Sequence, residues 1–230
     1  MLRVLNDDLV QPMRGFGQHP HSNMEIATYV VDGELTHQDS MGSKETLGRG
    51  SVQFMSAASG VRHSEHNNHP EQPCHFIQMW IVPRVRGGKP RYGGFDALKH
   101  GGAAARLNQW QWLVADEQNA DQKAVIQLQQ DVNIHVTELD GSAPQPLAFE
   151  LQAERQLYLL CIAGAVDIVG GLSTPQSLVG HEAMTIRGPA SLAFAPTASD
   201  DGVAAAATKQ PYAHLLIVEM AKTDEDKDEL

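Results

Sequence analysis

Two short stretches of this chain carry residue types that hold metal ions. The first runs His19-Pro20-His21 with Glu25 four positions further on, and the second is His63-Ser64-Glu65. In a β-strand, residues two apart project from one face, about 6.6 Å apart along the chain. His19 and His21 can therefore converge on one ion from one strand, and His63 and Glu65 from another. Each neutral imidazole supplies a nitrogen lone pair at roughly 2.0–2.1 Å, and a carboxylate supplies an anionic oxygen. Three nitrogens and one oxygen suit Fe(II), Mn(II), Ni(II), Cu(II) or Zn(II), whereas Mg and Ca prefer all-oxygen shells. Four protein donors on an octahedral ion leave two positions open, enough for dioxygen and a substrate oxygen. Glu25 shares the parity of His19 and His21, so periodicity alone does not choose between Glu25 and Glu65 as the fourth donor.

The elements that must position these side chains read as strands. Met24 to Val31 is rich in β-branched and aromatic residues, Asp32-Gly33 is a hairpin signal, and Glu34 to Gln38 reads as the returning strand. Leu2 to Leu5 is a short apolar run closed by a turn signal at Asn6-Asp7-Asp8, and Gln11 to Gly17 reads as a loop. Ser51 to Met55 and Cys74 to Val82 are further strands, the latter the most apolar of this half. Short strands at steady spacing with glycine turns argue for an all-β sandwich or barrel. The second half repeats the rhythm: Tyr158 to Gly164 followed by Ala165 to Gly170 mirrors Ile26 to Gly33 followed by Glu34 to Gln38. This is the mark of a weak internal duplication, and the second copy has no His-x-His. Four segments follow: residues 1–83 as a metal-binding barrel, 84–105 as a linker, 106–221 as a barrel without metal, and 222–230 as a disordered acidic tail. The linker carries Arg84, Arg86, Lys89 and Arg91 among its glycines and prolines.

Composition narrows the partners. The net charge of -11 over 230 residues argues against nucleic acid, which needs a basic surface. The tail from Lys222 holds five acids and two lysines, and the body stays acidic without it. Cys74 and Cys161 sit in unrelated apolar contexts and read as buried thiols, which fits a reducing cytoplasm. No apolar run reaches the length of a signal peptide or a membrane span. His37 and Asp39 lie in a turn region, THQDSMG, and read as fixing that turn or partnering a ligand histidine. Arg62, beside His63, reads as meeting an anionic substrate or neutralising Glu65.

His19-x-His21-x3-Glu25-x7-Gly33 resembles the first cupin motif, with one residue more before the glycine than the common form. Gly60-x2-His63-x3-Asn67 matches the end of the second cupin motif, with Ala58 where proline is usual. GFGQHPHSNMEIATYVVDGELTHQDSMG and SAASGVRHSEHN are similar to the pirin family, which consists of bicupins with metal in the N-terminal barrel only. The resemblance is dense over Leu2 to Tyr92 and thin but continuous beyond. It implies two tandem cupin barrels of the double-stranded β-helix, or jelly-roll, type. It also implies His19, His21, His63 and Glu65 as ligands, with Glu25 then a second-rank contributor, and iron as the usual metal. The implied activity is that of flavonol (quercetin) 2,3-dioxygenases, acting on a small aromatic enol with dioxygen, with Glu65 or Glu25 as proton acceptor. Alternatives are an iron-dependent regulator that binds a protein partner, and a cupin with a purely structural metal. Pirins carry a further aromatic, histidine-containing segment ahead of the equivalent of Leu2. Without it, an exposed sheet edge is expected here.

Overall fold

The structure, a computed structural model, describes residues 1–119, 124–197 and 212–222. The chain divides into two compact units. The first comprises Met1–Ala104 with Ala115–Gln130, and the second Ala105–Val114 with Asp131–Leu230. Both are built almost wholly from β-strands.

In the first unit the strands are β1 (Leu2–Val10), β2 (Arg14–His21), β3 (Glu25–Asp32), β4 (Glu34–Asp39), β5 (Lys44–Gly48), β6 (Val52–Ser56), β7 (Val61–Asn67), β8 (Cys74–Ile81) and β9 (Arg91–Phe95). They form a five-stranded sheet, β1-β8-β3-β6-β9, and a four-stranded sheet, β2-β7-β4-β5. Side chains from both sheets share a core. Val30 and Phe76 from the first pack with Leu35 from the second, and Ile26 and Met55 with Val61.

Three expectations change here. The turn expected at Asn6-Asp7-Asp8 is instead the middle of β1, where these residues pair with Gln78, Ile77 and Phe76 of β8. Pairing with a long apolar strand overrides the local turn preference, and acids are suited to a strand at a sheet edge. Arg14 to Gly17, expected as loop, belongs to β2. Residues 84–105, expected as a linker, contain β9, which pairs with β6 along its whole length. Two of that segment's cations are also engaged within this unit: Arg84 with Asp116 at 2.7 Å and Arg91 with Glu117 at 3.2 Å.

The fourth change concerns Gly33. β3 and β4 are not a hairpin, because they lie in different sheets. Gly33, at φ +76°, is the corner where the chain leaves one sheet for the other, and a Cβ there would sit 2.5 Å from the Pro73 carbonyl oxygen. Glycine is needed both for its left-handed backbone and for this close approach.

The second unit holds β10 (Gln111–Asp116, up to Val114), β12 (Val132–Leu139), β13 (Leu147–Leu151), β14 (Arg155–Val169), β15 (Gln176–Val179), β16 (Ala183–Arg187), β17 (Ala190–Thr197) and β18 (Ala213–Ala221), while β11 (Ile126–Leu128) falls within the first. The duplicated pattern recurs as the same corner. β14 pairs with β16 and β18 up to Gly164, then with β15 and β17 beyond it. Gly164 has φ +78°, and a Cβ would meet the Tyr212 carbonyl oxygen at 2.0 Å. Among the described residues, Leu157, Ile168, Phe194 and Ile217 belong to its core. The acidic tail lies outside the described residues from 223 onward. Lys222 donates its Nζ to the Gly188 carbonyl at 2.8 Å. No helix among the described residues is long and apolar enough to cross a membrane.

Candidate metal centre

The four-stranded sheet of the first unit sets the site by its register. β7 alternates inward and outward, burying Val61, His63, Glu65 and Asn67. His63 stands opposite His19 of β2 and Asp39 of β4, and Glu65 opposite Phe16 and His37. Between Phe16 and His19 the β2–β7 ladder shifts register by one residue. Such a bulge turns the following side chains to a new face, which here brings His19 and His21 inward beside His63.

Ligand atoms of His19, His21 and His63 lie within 4.8 Å of one another. The ring centroids are 4.8 Å apart for His19 and His21, 4.4 Å for His19 and His63, and 5.0 Å for His21 and His63. His19 donates Nδ1–H to the Gly17 carbonyl at 2.8 Å, which makes its Nε2 the lone-pair nitrogen. The Nε2 atoms of His21 and His63 are buried and accept no hydrogen bond. Buried polar atoms are nearly always satisfied, so orphaned imidazole nitrogens pointing into a cluster of imidazoles fit a cation. Burial, reinforced by neighbouring histidines, lowers the His21 pKa to about 4 and that of His63 to about 3. Both rings are thus neutral near pH 7, the form that coordinates. His21 packs edge-on against Trp80 at 4.8 Å.

Glu65 joins a second group, with His37 and His63, whose ligand atoms are also within 4.8 Å of one another. Its Oε1 accepts from Gln53 at 2.7 Å and from Gln78 at 3.0 Å, and its Oε2 accepts from Gln78 at 2.8 Å. Trp80 fixes the Gln78 amide by donating Nε1–H to Gln78 Oε1 at 2.9 Å. Burial raises the Glu65 pKa, against the opposing pull of the Gln78 hydrogen bonds. These glutamines escaped the sequence reading. Their signal was present: Gln53 and Gln78 are the lone amides in otherwise apolar strands, VQFMS and CHFIQMWI.

Glu25 stands in neither group. β2 ends at His21 and β3 begins at Glu25, with Asn23 at φ 51° between them, so the parity linking Glu25 to the histidines is broken by a bend. Its Oε2 accepts the Gln129 backbone N–H at 2.8 Å, and its Oε1 lies 3.8 Å from Arg91. Burial lifts its pKa from 4.5 to about 7. The folded state therefore holds this proton between pH 4.5 and 7 while the unfolded chain releases it. The stabilisation is present below about pH 4.5 and is lost as pH rises through 7. Glu25→Gln keeps the acceptor for Gln129 without the charge. We expect it to raise stability at pH 8 by about 1–3 kcal/mol, with the gap closing by pH 5, in urea denaturation at both pH values. Metal retention should be unchanged.

Arg62 alternates outward, away from Glu65, and its Nη2 donates to the Gln18 carbonyl at 3.5 Å. It borders an open cavity of about 480 Å³, together with His21, Ser22, Ser40 and Gly60. In the second unit, His135 is stacked on Trp112 at 5.4 Å and flanked edge-on by Phe149 at 5.4 Å. Among the described residues, no three His, Cys, Asp or Glu side chains converge there.

The Pirin family model matches residues 2–81. The quercetin 2,3-dioxygenase of Escherichia coli K12 is 37% identical over 171 residues, covering 74% of this chain and 68% of that protein. A pirin-like protein of Caulobacter vibrioides is 38% identical over 169 residues, covering 74% and 69%. The bacterial pirin YhhW from Escherichia coli, solved in complex with nickel(II), superposes with a TM-score of 0.76 at 28% identity, covering 96% of this chain and 83% of that one.

Proposed function

The chain belongs to the pirin family, and from that footing we propose that its first unit is a metal-dependent dioxygenase acting on flavonols such as quercetin. The observation that carries the reading is the trio of His19, His21 and His63, with two buried, partnerless Nε2 atoms, beside a cavity bordered by His21 and Arg62. In this reading the three Nε2 atoms and the Glu65 carboxylate hold a divalent transition ion, Fe(II) in the cell. That ion supplies Lewis-acid polarisation of the substrate oxygen and a meeting place for dioxygen.

The chain's own residues do the rest. The cavity admits a planar aromatic molecule from the His21 side, and Arg62 faces the negative charge of an ionised phenol there. Trp80, packed edge-on against His21, holds that ring at the border of the cavity. Glu65 accepts the substrate hydroxyl proton. Burial makes its carboxylate more basic than a solvated one, and Gln78 and Gln53 fix its direction.

The test is iron-loaded protein mixed with quercetin under air, following loss of flavonol absorbance and release of carbon monoxide. Turnover no faster than that of metal-free protein sinks the proposal. Glu65→Gln is expected to lower kcat by about 10²–10⁴. An equal kcat in parent and variant would remove Glu65 from the proton transfer.

A further inference from the structure

Behind the three-imidazole group lies a chain of hydrogen bonds that the dioxygenase reading does not use. Asp39 is the outer end. Its Oδ1 accepts the backbone N–H groups of Met41 at 2.8 Å and Ser43 at 3.0 Å, which leaves Oδ2 facing His37 Nε2 at 3.2 Å. His37 is 1% exposed and lies flat on Tyr92, with ring centroids 4.3 Å apart and planes 19° apart. Tyr92 is itself held by donating its hydroxyl to Glu45 Oε2 at 2.9 Å. The other His37 nitrogen, Nδ1, is 3.4 Å from His63 Nδ1.

The protons in this chain can be placed by elimination. A carboxylate only accepts, so His37 Nε2 carries a hydrogen and donates it to Asp39. In a neutral ring His37 Nδ1 is then the acceptor, so His63 Nδ1 must be the donor. That leaves His63 Nε2 with a bare lone pair, and this is the buried atom that has no hydrogen-bond partner. We infer that Asp39 and His37 are positioning residues that fix the tautomer and ring plane of His63, so that its Nε2 is presented permanently as a metal donor. The role of His63 as donor rests on the dioxygenase-site reading; the tautomer assignment does not.

The same geometry speaks against a second ion between His37, His63 and Glu65, although their ligand atoms also lie within 4.8 Å of one another. Both nitrogens of His37 are already committed, and one ion per chain is expected. Outer partners of a ligand histidine commonly shift metal affinity by about 10–100-fold.

Asp39→Asn is the decisive variant. The Asn carbonyl can still accept from Met41 and Ser43, while its amide donates to His37 Nε2. His37 is thereby forced to donate from Nδ1, His63 must accept at Nδ1, and the His63 proton moves to Nε2, where it blocks coordination. With ¹⁵N-labelled histidine and metal-free protein, long-range ¹H–¹⁵N spectra should show His63 as the Nδ1–H tautomer in the parent and Nε2–H in Asp39→Asn. Nickel(II) titration should show affinity lowered about 10–100-fold, with parental circular dichroism.

A second pair guards against a turn that fails to form. His37→Phe keeps the stacking on Tyr92 but offers no acceptor, and should lose affinity in the same range; His37→Gln offers a carbonyl, and should retain most of it. An Nε2–H tautomer in the parent overturns the inference, as do equal affinities for His37→Phe and His37→Gln, or two nickel ions per chain. A parent with the assigned tautomer that binds no divalent metal would leave the hydrogen-bond chain standing and remove the metal-site reading instead.

Discussion

His63→Ala is expected to weaken divalent metal binding by well over a hundredfold and to abolish any metal-dependent turnover. A partner lying behind a ligand is worth about 10–100-fold, and a direct donor is worth more. His63 is also the member common to both clusters, its ring 4.4 Å from His19, 5.0 Å from His21 and 5.2 Å from His37. Thermal unfolding with and without metal separates the site from the fold. A metal at a hundred times its Kd stabilises the parent by about 2.7 kcal/mol, whereas the variant should gain nothing. Without metal the variant should lose only about 1–2 kcal/mol, mainly from leaving His37 Nδ1 without its donor. The pH dependence has a defined sign. The folded-state pKa values of His63, about 3, and His21, about 4, lie below the ordinary 6.5. The unfolded chain therefore takes up protons first, and metal-free stability falls as pH drops from about 6.5 toward 3. His63→Ala should flatten part of that fall. A variant that still gains stability from nickel(II) like the parent would remove His63 from the site.

The convergence of His19, His21 and His63 was legible in the sequence because it depends on residue type and on a period of two. His-x-His and His-x-Glu need only a strand to become convergent pairs, and the strand is what their neighbours favour. Periodicity alone leaves Glu25 open beside Glu65, because parity holds only within one unbroken strand, and a single left-handed residue at Asn23 ends that phase. The converse happened at His19. A one-residue bulge after Phe16 re-aims β2, and local periodicity carries no trace of it.

The all-β, two-barrel fold was legible from strand rhythm, glycine punctuation and the repeated pattern. What could not be read was which strands pair. Asp32-Gly33 looks like a hairpin because hairpins and sheet-to-sheet corners both need a left-handed residue. Only the close approach of the Pro73 carbonyl reveals which one it is. Asn6 to Asp8 look like a turn until β8 is placed beside them. The glutamines that hold Glu65 and the acid that orients His37 share this property. Each is an ordinary residue whose role comes from a partner that folding brings beside it: Gln53 and Gln78 lie 12 and 13 residues from Glu65 but in the other sheet, and Asp39 stands opposite His63 where β4 pairs with β7.

The second large effect expected lies in the other unit and concerns stability alone. Arg106 is among the largest fully buried side chains, 1% exposed, and its Nε donates to Glu138 Oε1 at 2.6 Å. The backbones are locked together as well: Glu138 N–H donates to the Arg106 carbonyl at 2.9 Å, Asn108 N–H to the Glu138 carbonyl at 2.8 Å, and Thr137 Oγ1 to the Arg106 carbonyl at 3.2 Å. Arg106→Ala strips the cation from a carboxylate that is only 7% exposed. Removing one partner of a buried pair commonly costs about 3–5 kcal/mol, because the remaining charge is left in a poor solvent. Chemical denaturation should show that loss. Replacing both, as Arg106→Met with Glu138→Leu, should recover much of it, since the buried charge is gone and the volume is largely kept. The exposed pair of Lys99 and Asp96 offers the contrast. There the lysine is 75% exposed, and Lys99→Ala should shift the denaturation midpoint by no more than its error. A double variant no more stable than Arg106→Ala would mean that the ionic pair, rather than the release of a stranded charge, sets the stability of this strand edge.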